Sequence, residues 1–450
     1  MKLSISPIRR RPVRSLDPVH FVCLVTVSSY QRRLVDDDLD ELVPGLPAIA
    51  LEGPKAVGKT ATALERAATV FRLDRDDVRE VLAADPQRLT AGPAPILVDE
   101  WQRLPSSWDV VRRAVDDDPT PGRFLLTGSA SPTDAPTHSG AGRIVTIRMR
   151  PLSLAERLPQ QTPVSLEALL TGTRPPLQGS TTVSLVDYVE EIVRSGFPAI
   201  RRANGRPLRA QLDGYLERIV ERDIVEAGAR VRNEGALRRW LMAYAAATST
   251  STTYDTIRDA ASPGEADKPA RTTANSYRAV LEQLWLLDPV PAWIPARNHL
   301  RRLAAAPVHQ LADPALAVRL LGVDIGGLLD SAPTAVAVPR DGTLLGAMFQ
   351  SLVTLSVRVY AQRHDGRVSH LRTRGGEHEV DLIVEAGDGR IVAIEVKLSQ
   401  SITDEDVRHL HWLSDRIGGD LLDAVIITTG SEAYRRRDGI GVIPAALLAP

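Results

Sequence analysis

Residues 53–60 read Gly53-Pro54-Lys55-Ala56-Val57-Gly58-Lys59-Thr60, which is a complete G-x-x-x-x-G-K-T loop. An apolar run at 47–51 precedes the loop, and a helix-forming run at 61–70 follows it. This order predicts a strand that delivers the loop, backbone N–H groups that surround phosphate oxygens, and a helix whose positive end points at them. We expect Lys59 to reach the β- and γ-phosphates and the Thr60 hydroxyl to hold Mg²⁺. The loop therefore predicts a site for a nucleoside triphosphate.

A second acidic element follows at residues 95–100, an apolar run that ends in Asp99 and Glu100. Behind a phosphate-binding loop, such a strand end supplies the carboxylates that a P-loop ATPase needs. We expect Asp99 to support Mg²⁺ through water and Glu100 to polarise the attacking water. The predicted metal ligands of this half of the chain are Thr60 and Asp99.

The next apolar run, residues 123–127, leads into Thr127-Gly128-Ser129. Ligands of parallel sheets lie at the carboxyl ends of the strands, so Thr127 or Ser129 is expected to touch the γ-phosphate or the attacking water. Either Arg143 or Arg148 would neutralise charge in the transition state, in cis or across a subunit interface. Our predicted catalytic residues are Glu100, Lys59 and Arg143. The predicted nucleotide-binding residues are Gly53, Pro54, Lys55, Ala56, Val57, Gly58, Lys59, Thr60, Ala61, Asp99 and Ser129.

Length and composition limit the remaining possibilities. The 450 residues are 43% hydrophobic and 25% charged, which is typical of a globular protein of two to four domains. A net charge of −1 gives no overall electrostatic field that would attract nucleic acid or membrane, so such binding requires local charged patches.

The one cysteine, Cys23, excludes an internal disulfide framework and fits the cytoplasm. Cys23 lies in an apolar stretch, residues 19–27, that follows an arginine-rich start and so resembles a secretory signal peptide. We favour instead an extra N-terminal leader that is not a signal peptide. No other apolar run approaches the roughly 20 residues of a membrane span.

A second constellation of charged residues lies near the end of the chain. Asp381 falls in one apolar run, and Glu395 and Lys397 fall in the next, with the turn 387–389 between them. The two runs predict a hairpin in which Glu395 and Lys397 share a face and Asp381 meets Glu395. Asp381 and Glu395 would then bind a divalent metal, with Lys397 positioning water, because D-x13-E-x-K is the spacing of the PD-(D/E)xK phosphodiesterase core.

The alternative for this hairpin is a polar sheet face with a Glu–Lys cross-pair. Charged residues in such apolar strands are costly when they serve no purpose, which favours descent from a nuclease-like fold. Basic residues around the hairpin would form a phosphate-binding face or a solvated charged surface; they are Arg358, Arg363, Arg367, Arg372 and Arg374, with His364 and His370.

Several motifs in order resemble the prokaryotic AAA-type ATPases that join a P-loop domain to a C-terminal domain of unknown function. The resemblance covers about residues 30–450. The matching segments are Tyr30-Gln31-Arg32-Arg33-Leu34, the loop 53–60, Val98-Asp99-Glu100-Trp101-Gln102, Leu126-Thr127-Gly128-Ser129, Gly142-Arg143, Pro151-Leu152-Ser153-Leu154-Ala155-Glu156, Ser195-Gly196-Phe197-Pro198, Tyr215-Leu216-Glu217 and Arg222-Asp223-Ile224. Two positions depart from the family: Lys55 stands where it usually has Arg, and Gln350 where it typically has Glu.

The resemblance implies an α/β fold with an AAA-like parallel sheet, then a helical, winged-helix-like region and a C-terminal α/β nuclease-like domain. A helix–turn–helix–strand pattern between residues 185 and 291 agrees with the middle part. The expected segments are a disordered leader (1–29), an AAA-like P-loop ATPase domain (30–157), a linker (158–184), the helical region (185–340) and a PD-(D/E)xK nuclease-like domain (341–450).

Three functions compete on these observations. The favoured one is a cytoplasmic Mg²⁺-dependent ATPase that couples ATP turnover to a DNA-interacting C-terminal half, as a monomer or a homo-oligomer. The second is a DNA nuclease under ATP control, in which Asp381, Glu395 and Lys397 cleave phosphodiesters. The third is a nucleotide switch that binds a protein partner without hydrolysing ATP.

Overall fold

The computed structural model describes residues 30–129, 140–158, 160–228, 233–262, 268–295, 306–330 and 342–450. Residues 33–450 form one compact unit. The predicted leader, 1–29, lies outside the described residues, as does most of the loop that precedes Arg143. The domain boundaries predicted from the sequence stay predictions.

The first sheet has five strands, all paired in parallel, in the order β2-β3-β4-β1-β5. Its strands are β1 (Ala48–Glu52), β2 (Thr69–Arg72), β3 (Ile96–Asp99), β4 (Phe124–Gly128) and β5 (Val145–Arg148). The helices of this part are α1 (Leu34–Leu42), α2 (Lys59–Leu64), α3 (Asp76–Ala84), α4 (Ser106–Asp117) and α5 (Leu154–Arg157). The predicted mixed α/β fold with an N-terminal P-loop sheet is confirmed.

One helix is shorter than the sequence predicts. The helix after the loop was expected to run through residues 61–70, but α2 ends at Leu64 and Thr69–Arg72 forms β2. Thr69, Val70 and Phe71 are β-branched or aromatic residues, which favour a strand once a partner is available. The partner is β3, against which Thr69 lies opposite Ile96.

The middle of the chain is mainly helical. It contains β6 (Val164–Ser165), α6 (Leu166–Leu170), α7 (Leu185–Arg194), α8 (Gly205–Arg218), a π-helical turn (Ile219–Asp223), α9 (Ile224–Glu226), α10 (Glu234–Ala246), α11 (Tyr254–Ala260), α12 (Arg271–Gln283), α13 (Pro314–Leu320) and α14 (Ile325–Leu329). After α12 the chain makes antiparallel bridges between Leu287 and Leu311 and between Val290 and Val308. The winged-helix assignment stays a prediction.

The C-terminal part is a six-stranded mixed sheet of order β11-β12-β10-β9-β8-β7, preceded by one long helix. Its elements are α15 (Leu344–Gln362), β7 (Arg367–Arg372), β8 (Glu379–Glu385), β9 (Ile391–Lys397), α16 (Asp404–Ile417), β10 (Leu421–Thr428), β11 (Tyr434–Arg435), β12 (Gly441–Pro444) and β13 (Leu448–Ala449). The predicted hairpin is confirmed, because β8 and β9 pair antiparallel.

A single large apolar core joins these parts. Alternate residues of β1, Ile49 and Leu51, face a cluster that also contains Trp240, Phe349 and Ile394. The opposite face of the first sheet packs on Trp101 and Trp108 in a smaller cluster, and α16 covers the other face of the C-terminal sheet. The period of two along a strand thus sends neighbouring residues to different cores.

The helix α15 corrects one expectation of the sequence analysis. Among the described residues it is the one helix long and apolar enough to cross a membrane. However, 72% of its most apolar window is buried inside the protein. Burial of this kind is typical of a core helix, so the length and composition of α15 are weak evidence for a membrane span.

Candidate nucleotide site

The loop between β1 and α2 has a backbone that few side chains tolerate. Gly53, Ala56 and Gly58 have φ angles of 153°, 63° and 108°. A Cβ atom at Gly53 would lie 2.1 Å from the carbonyl oxygen of Met149, so only glycine fits beside the segment that follows β5. The loop is therefore held in one shape by the neighbouring strand.

Lys59 closes this loop from inside. Its Nζ donates to the carbonyl oxygens of Gly53 and Pro54, both at 2.8 Å, and the residue is 5% exposed. Burial lowers the pKa of Lys59 to about 8, although the carboxylates of Glu100 and Asp99 act in the opposite direction. A buried ammonium group inside a backbone loop is a suitable partner for an anionic phosphate.

Asp99 lies at the end of β3 and joins two hydroxyl groups. Thr60 Oγ1 donates to its Oδ1 at 2.7 Å, and Thr127 Oγ1 donates to the same oxygen at 2.5 Å. The structure therefore brings together the predicted metal ligands Thr60 and Asp99. A carboxylate and a hydroxyl are hard oxygen donors of the kind that Mg²⁺ uses beside phosphates, so this donor set fits the ion.

Glu100 takes part in a second small network. Its backbone adopts the left-handed conformation, with φ 57°. Gln102 Nε2 donates to Glu100 Oε2, and it also donates to Ser129 Oγ at 3.2 Å. Ser129 Oγ in turn donates to Glu100 Oε2 at 3.2 Å. The sequence predicted Glu100 and Ser129 but gave Gln102 no role. Its place in the D-E-x-Q segment was the available signal.

Arg33 is a second residue whose role the sequence analysis missed. It is 5% exposed, and its Nη1 donates to the carbonyl oxygen of Val57 in the loop at 3.0 Å. Its Nε donates to Glu156 Oε1 at 2.7 Å, and its Nη2 donates to the carbonyl oxygen of Arg150 at 2.9 Å. Arg33 thus ties the phosphate-binding loop to the segment between β5 and α5.

Lys55 connects the loop to the helical region. Its Nζ lies 2.6 Å from Asp223 Oδ1, and the hydroxyl of Tyr215 donates to its carbonyl oxygen at 3.3 Å. Both partners belong to the helical stretch from α8 through the π-helical turn. Lys55 therefore serves as a contact between the loop and this stretch, whereas its predicted contact with nucleotide stays a prediction.

The two arginines considered for the transition state have different surroundings. The side chain of Arg143 is 48% exposed and its Nε donates to Asp116 Oδ1 at 2.7 Å. Arg148 is opposite Glu52 in the pairing of β5 with β1, and its Nη1 lies 3.1 Å from Asp288 Oδ1. The choice of Arg143 as a catalytic residue stays a prediction.

The C-terminal constellation comes together as the hairpin predicts. Lys397 Nζ lies 3.5 Å from Glu395 Oε2, and Asp381 is hydrogen-bonded to its neighbours on both carboxylate oxygens. Gln350 Nε2 donates to Asp381 Oδ1 and the backbone N–H of Val396 donates to Oδ2, each at 2.8 Å. Gln350, the residue that departs from the family pattern, therefore uses one oxygen of Asp381 as a hydrogen-bond acceptor.

The contacts of Asp381 fit a divalent metal poorly. Burial, and then the nearby carboxyl of Asp381, raise the pKa of Glu395 well above its usual range. Burial also raises the pKa of Asp381. Both oxygens of Asp381 are already engaged by N–H donors, which weakens them as metal ligands, whereas Glu395 Oε1 is buried and has no hydrogen-bond partner among the described residues. Within the described ranges no group of three or more His, Cys, Asp or Glu residues is arranged to hold a metal. The metal-ligand roles of Asp381 and Glu395 stay predictions.

Three of the basic residues near the hairpin are paired with carboxylates. Arg358 pairs with Asp288, Arg363 with Glu41, and Arg372 with Glu379. The phosphate-binding face considered for these residues stays a prediction.

Comparison with protein families assigns the parts of the chain separately. Residues 46–158 match the AAA domain family. The matched range contains the loop 53–60, Asp99, Glu100 and Ser129. Residues 185–325 and 345–448 match two domains of unknown function, DUF8612 and DUF4143. The similarity to AAA domains is therefore confined to the part of the chain that holds the phosphate-binding loop.

Relatives are found over most of the chain. The uncharacterized proteins Mb2031c of Mycobacterium bovis (strain ATCC BAA-935 / AF2122/97) and Rv2008c of Mycobacterium tuberculosis (strain ATCC 25618 / H37Rv) are each 24% identical over 406 residues, 89% of this chain and 80% of the relative. Among solved structures, the Walker-type ATPase PABY2304 of Pyrococcus abyssi is 15% identical and covers 63% of this chain and 94% of its own, with a TM-score of 0.33.

Proposed function

We propose that this chain is a cytoplasmic, Mg²⁺-dependent ATPase whose ATP turnover acts on its helical and C-terminal parts. The observation that carries the proposal is the Asp99 carboxylate, which joins Thr60 at the phosphate-binding loop to Thr127 on the neighbouring strand. The candidate metal ligands Thr60 and Asp99 are thus hydrogen-bonded to each other, with the buried Lys59 beside Thr60 at the start of α2 and Glu100 directly after β3. The match of this segment to the AAA domain family supports the same proposal.

Each residue has a part in the proposed mechanism. Lys59 exchanges its two carbonyl partners for phosphate oxygens, and Thr60 and Asp99 hold the metal. When bound, Mg²⁺ supplies positive charge to the phosphate oxygens. Glu100 accepts a hydrogen bond from the attacking water and aligns it. Gln102 and Ser129 hold the Glu100 carboxylate from the side, so this network positions the catalytic group.

Two contacts support coupling between nucleotide and the rest of the molecule. Lys59 now donates to the carbonyl oxygens of Gly53 and Pro54, so its movement toward a phosphate frees two loop carbonyls. Lys55, which follows Pro54 in the loop, forms an ion pair with Asp223 of the helical region. A change in the loop therefore has a direct path to the α8–α9 stretch. DNA is the partner we propose for this region, based on the α11–α12 pair and the bridges after it.

Steady-state ATP hydrolysis tests the proposal. We expect wild-type protein to release phosphate in the presence of Mg²⁺, and Lys59→Ala and Glu100→Gln each to lower kcat by roughly 100-fold or more. Glu65→Gln is a matched control, because Glu65 is an exposed carboxylate just after α2. Its rate should equal that of the wild type. Tight ATP binding without turnover by the wild type would leave only a nucleotide switch.

Duplex DNA added to the same assay tests the partner. If DNA is the partner, it raises turnover by the wild type and leaves Lys59→Ala and Glu100→Gln inactive. Turnover that is indifferent to DNA would direct the search toward protein partners and would remove DNA from the proposal.

A further inference from the structure

Asp288 lies a few residues beyond α12, and its carboxylate forms ion pairs with three arginines. Arg148 Nη1 is 3.1 Å from Oδ1, Arg150 Nε is 2.8 Å from Oδ2, and Arg358 Nη1 is 2.8 Å from Oδ1. The arginine side chains are 22%, 10% and 12% exposed, and that of Asp288 is 7% exposed. One negative charge thus faces three largely buried positive charges at ion-pair distance.

This imbalance is unfavourable without a further anion. Buried charges are stable when they are paired, and excess like charges in a low-dielectric site repel one another. Burial and the neighbouring arginines lower the pKa of Arg148 to about 10 and that of Arg358 to about 9, although Asp288 opposes both shifts. Glu52 adds only a weak attraction to Arg148. The cluster is therefore electropositive as it stands.

One donor of the cluster is not used. Arg148 Nε is buried, and across the described part of the chain it has no hydrogen-bond partner. The guanidinium of Arg148 stacks on Trp285 with its central carbon 4.3 Å from the ring centroid, which fixes its plane. The guanidinium of Arg148 therefore has a hydrogen-bond donor left for an anion such as a phosphate oxygen.

The three arginines line a cavity of about 490 Å³. Its walls are β5, which is the edge strand of the first sheet, and residues of α1 and α15. The lining also includes Asp38 and Glu41, which pair with Arg363. The volume lies in the range of small-molecule sites, and the lining offers both guanidinium donors and carboxylate acceptors.

We propose that this cavity binds a small phosphorylated ligand of nucleotide size, with its phosphoryl group against Arg148, Arg150 and Arg358. An N–H group elsewhere on the ligand, such as a base amine, would donate to Asp38 or Glu41. The site is separate from the phosphate-binding loop, since none of residues 53–60 lines the cavity. Because Arg148 pairs with Glu52 just before the loop, occupancy is placed to influence the nucleotide site.

Isothermal titration with inorganic phosphate and with AMP tests the proposal. The protein is the full-length Lys59→Ala variant, so that the loop site does not contribute. We expect one binding site, weakened at least about tenfold by Arg148→Gln or Arg150→Gln, because each removes a charged donor. Asp288→Asn should instead tighten binding, because it removes the competing carboxylate. Arg75→Gln, which changes an exposed arginine, should have no effect.

The two probes separate the sources of the phosphoryl group. If AMP binds more tightly than phosphate, the ligand of this cavity is a nucleotide. If the two bind equally, the ligand is free phosphate. The proposal is overturned if Arg148→Gln, Arg150→Gln and Asp288→Asn, each shown to be folded by its circular dichroism, bind both probes as the parent does. It is also overturned if the parent binds neither. Because the parent lacks Lys59, these results do not depend on ATP hydrolysis by the wild type.

Discussion

Glu156 is a buried residue that supports the phosphate-binding loop, residues 53–60, through Arg33. Its Oε1 accepts from Arg33 Nε and from the backbone N–H of Leu34, and its Oε2 accepts from the N–H and hydroxyl of Ser153. Arg33 in turn holds the carbonyl oxygen of Val57. Although burial opposes it, the attraction of Arg33 leaves the pKa of Glu156 below its usual value. The pair therefore stays charged and rigid at neutral pH.

We predict that Glu156→Gln lowers the free energy of unfolding by about 3–5 kcal/mol, because it leaves the Arg33 guanidinium buried without its counter-charge. Urea unfolding followed by circular dichroism measures this change. The control is Asp77→Asn, which breaks an exposed pair with Arg75 and should leave the free energy of unfolding nearly unchanged. Equal losses for the two variants would contradict the structural role of the buried pair.

Some of these residues were predictable and others were not. Lys59, Thr60 and Asp99 follow from local motifs, since the chemistry of a phosphate site fixes their spacing. The partnership of Arg33 with Glu156 links positions 123 residues apart, and no local pattern specifies it. The arginines around Asp288 are a similar case. Arg148 was considered for the transition state, and its contact with Asp288 depends on tertiary packing.

Among the elements, the sequence predicted strands better than helix ends. Residues 48–51, 96–98 and 124–127 are strands as expected, although β4 begins at Phe124, one residue later than the apolar run; these strands are buried on both faces. β2 was missed because it is an edge strand with mixed exposure, in which Val70 and Arg72 are exposed. Periodicity could not distinguish it from a continuation of α2.

The segment that pairs with residues 287–290 contains a buried histidine. The His309 side chain lies between the rings of Tyr244 and Tyr254, and its Nε2 is 2.8 Å from the carbonyl oxygen of Thr252. Burial lowers the pKa of His309 to about 4; Thr252 opposes this shift, and the charge of Arg278 adds to it. In the unfolded chain the pKa is about 6.5. The unfolded state therefore binds more protons between pH 6.5 and 4.

We predict that His309 contributes stability above pH 6.5 that is lost as the pH falls toward 4, about 3 kcal/mol in total. His309→Gln, whose amide can still donate to Thr252, should remove this part of the pH dependence. Unfolding free energies at pH 7.5, 6, 5 and 4 measure it. His411→Gln changes an exposed histidine and is the control. If wild-type and His309→Gln stabilities run parallel over this range, His309 is not the titrating group.

In the molecule as a whole, the largest apolar core is shared by the parts of the chain that the sequence assigns to three domains. Ile49 of the first sheet, Trp240 of the helical region and Phe349 of α15 belong to the same apolar cluster. The sequence indicated the order of the parts, because motifs and periodicity are local. It did not indicate this joint packing, since apolar residues do not specify which other face they contact. Gln350 illustrates the limit: its identity raised doubt about a metal, but its bond to Asp381 required the structure.

We predict that Arg143, if it acts across a subunit interface, makes turnover depend on assembly. Arg143 is exposed in one copy of the chain and is held by Asp116. The specific ATPase activity should then rise with protein concentration, and Arg143→Ala should lower kcat by about 10³-fold. Mixing Arg143→Ala with Lys59→Ala protein should restore activity at mixed interfaces. Arg113→Ala, at an exposed position of α4, is the control. Wild-type turnover by Arg143→Ala would exclude this role.

The central claim, hydrolysis of ATP by Glu100 beside the Asp99 metal site, is tested most directly by single-turnover phosphate release. Wild-type and Glu100→Gln protein are loaded with substoichiometric ATP, and Mg²⁺ is added to start the reaction. The account predicts equal ATP affinity for both proteins and phosphate release roughly 100-fold slower or more from Glu100→Gln. Equal release rates, or no release from the wild type, would contradict it.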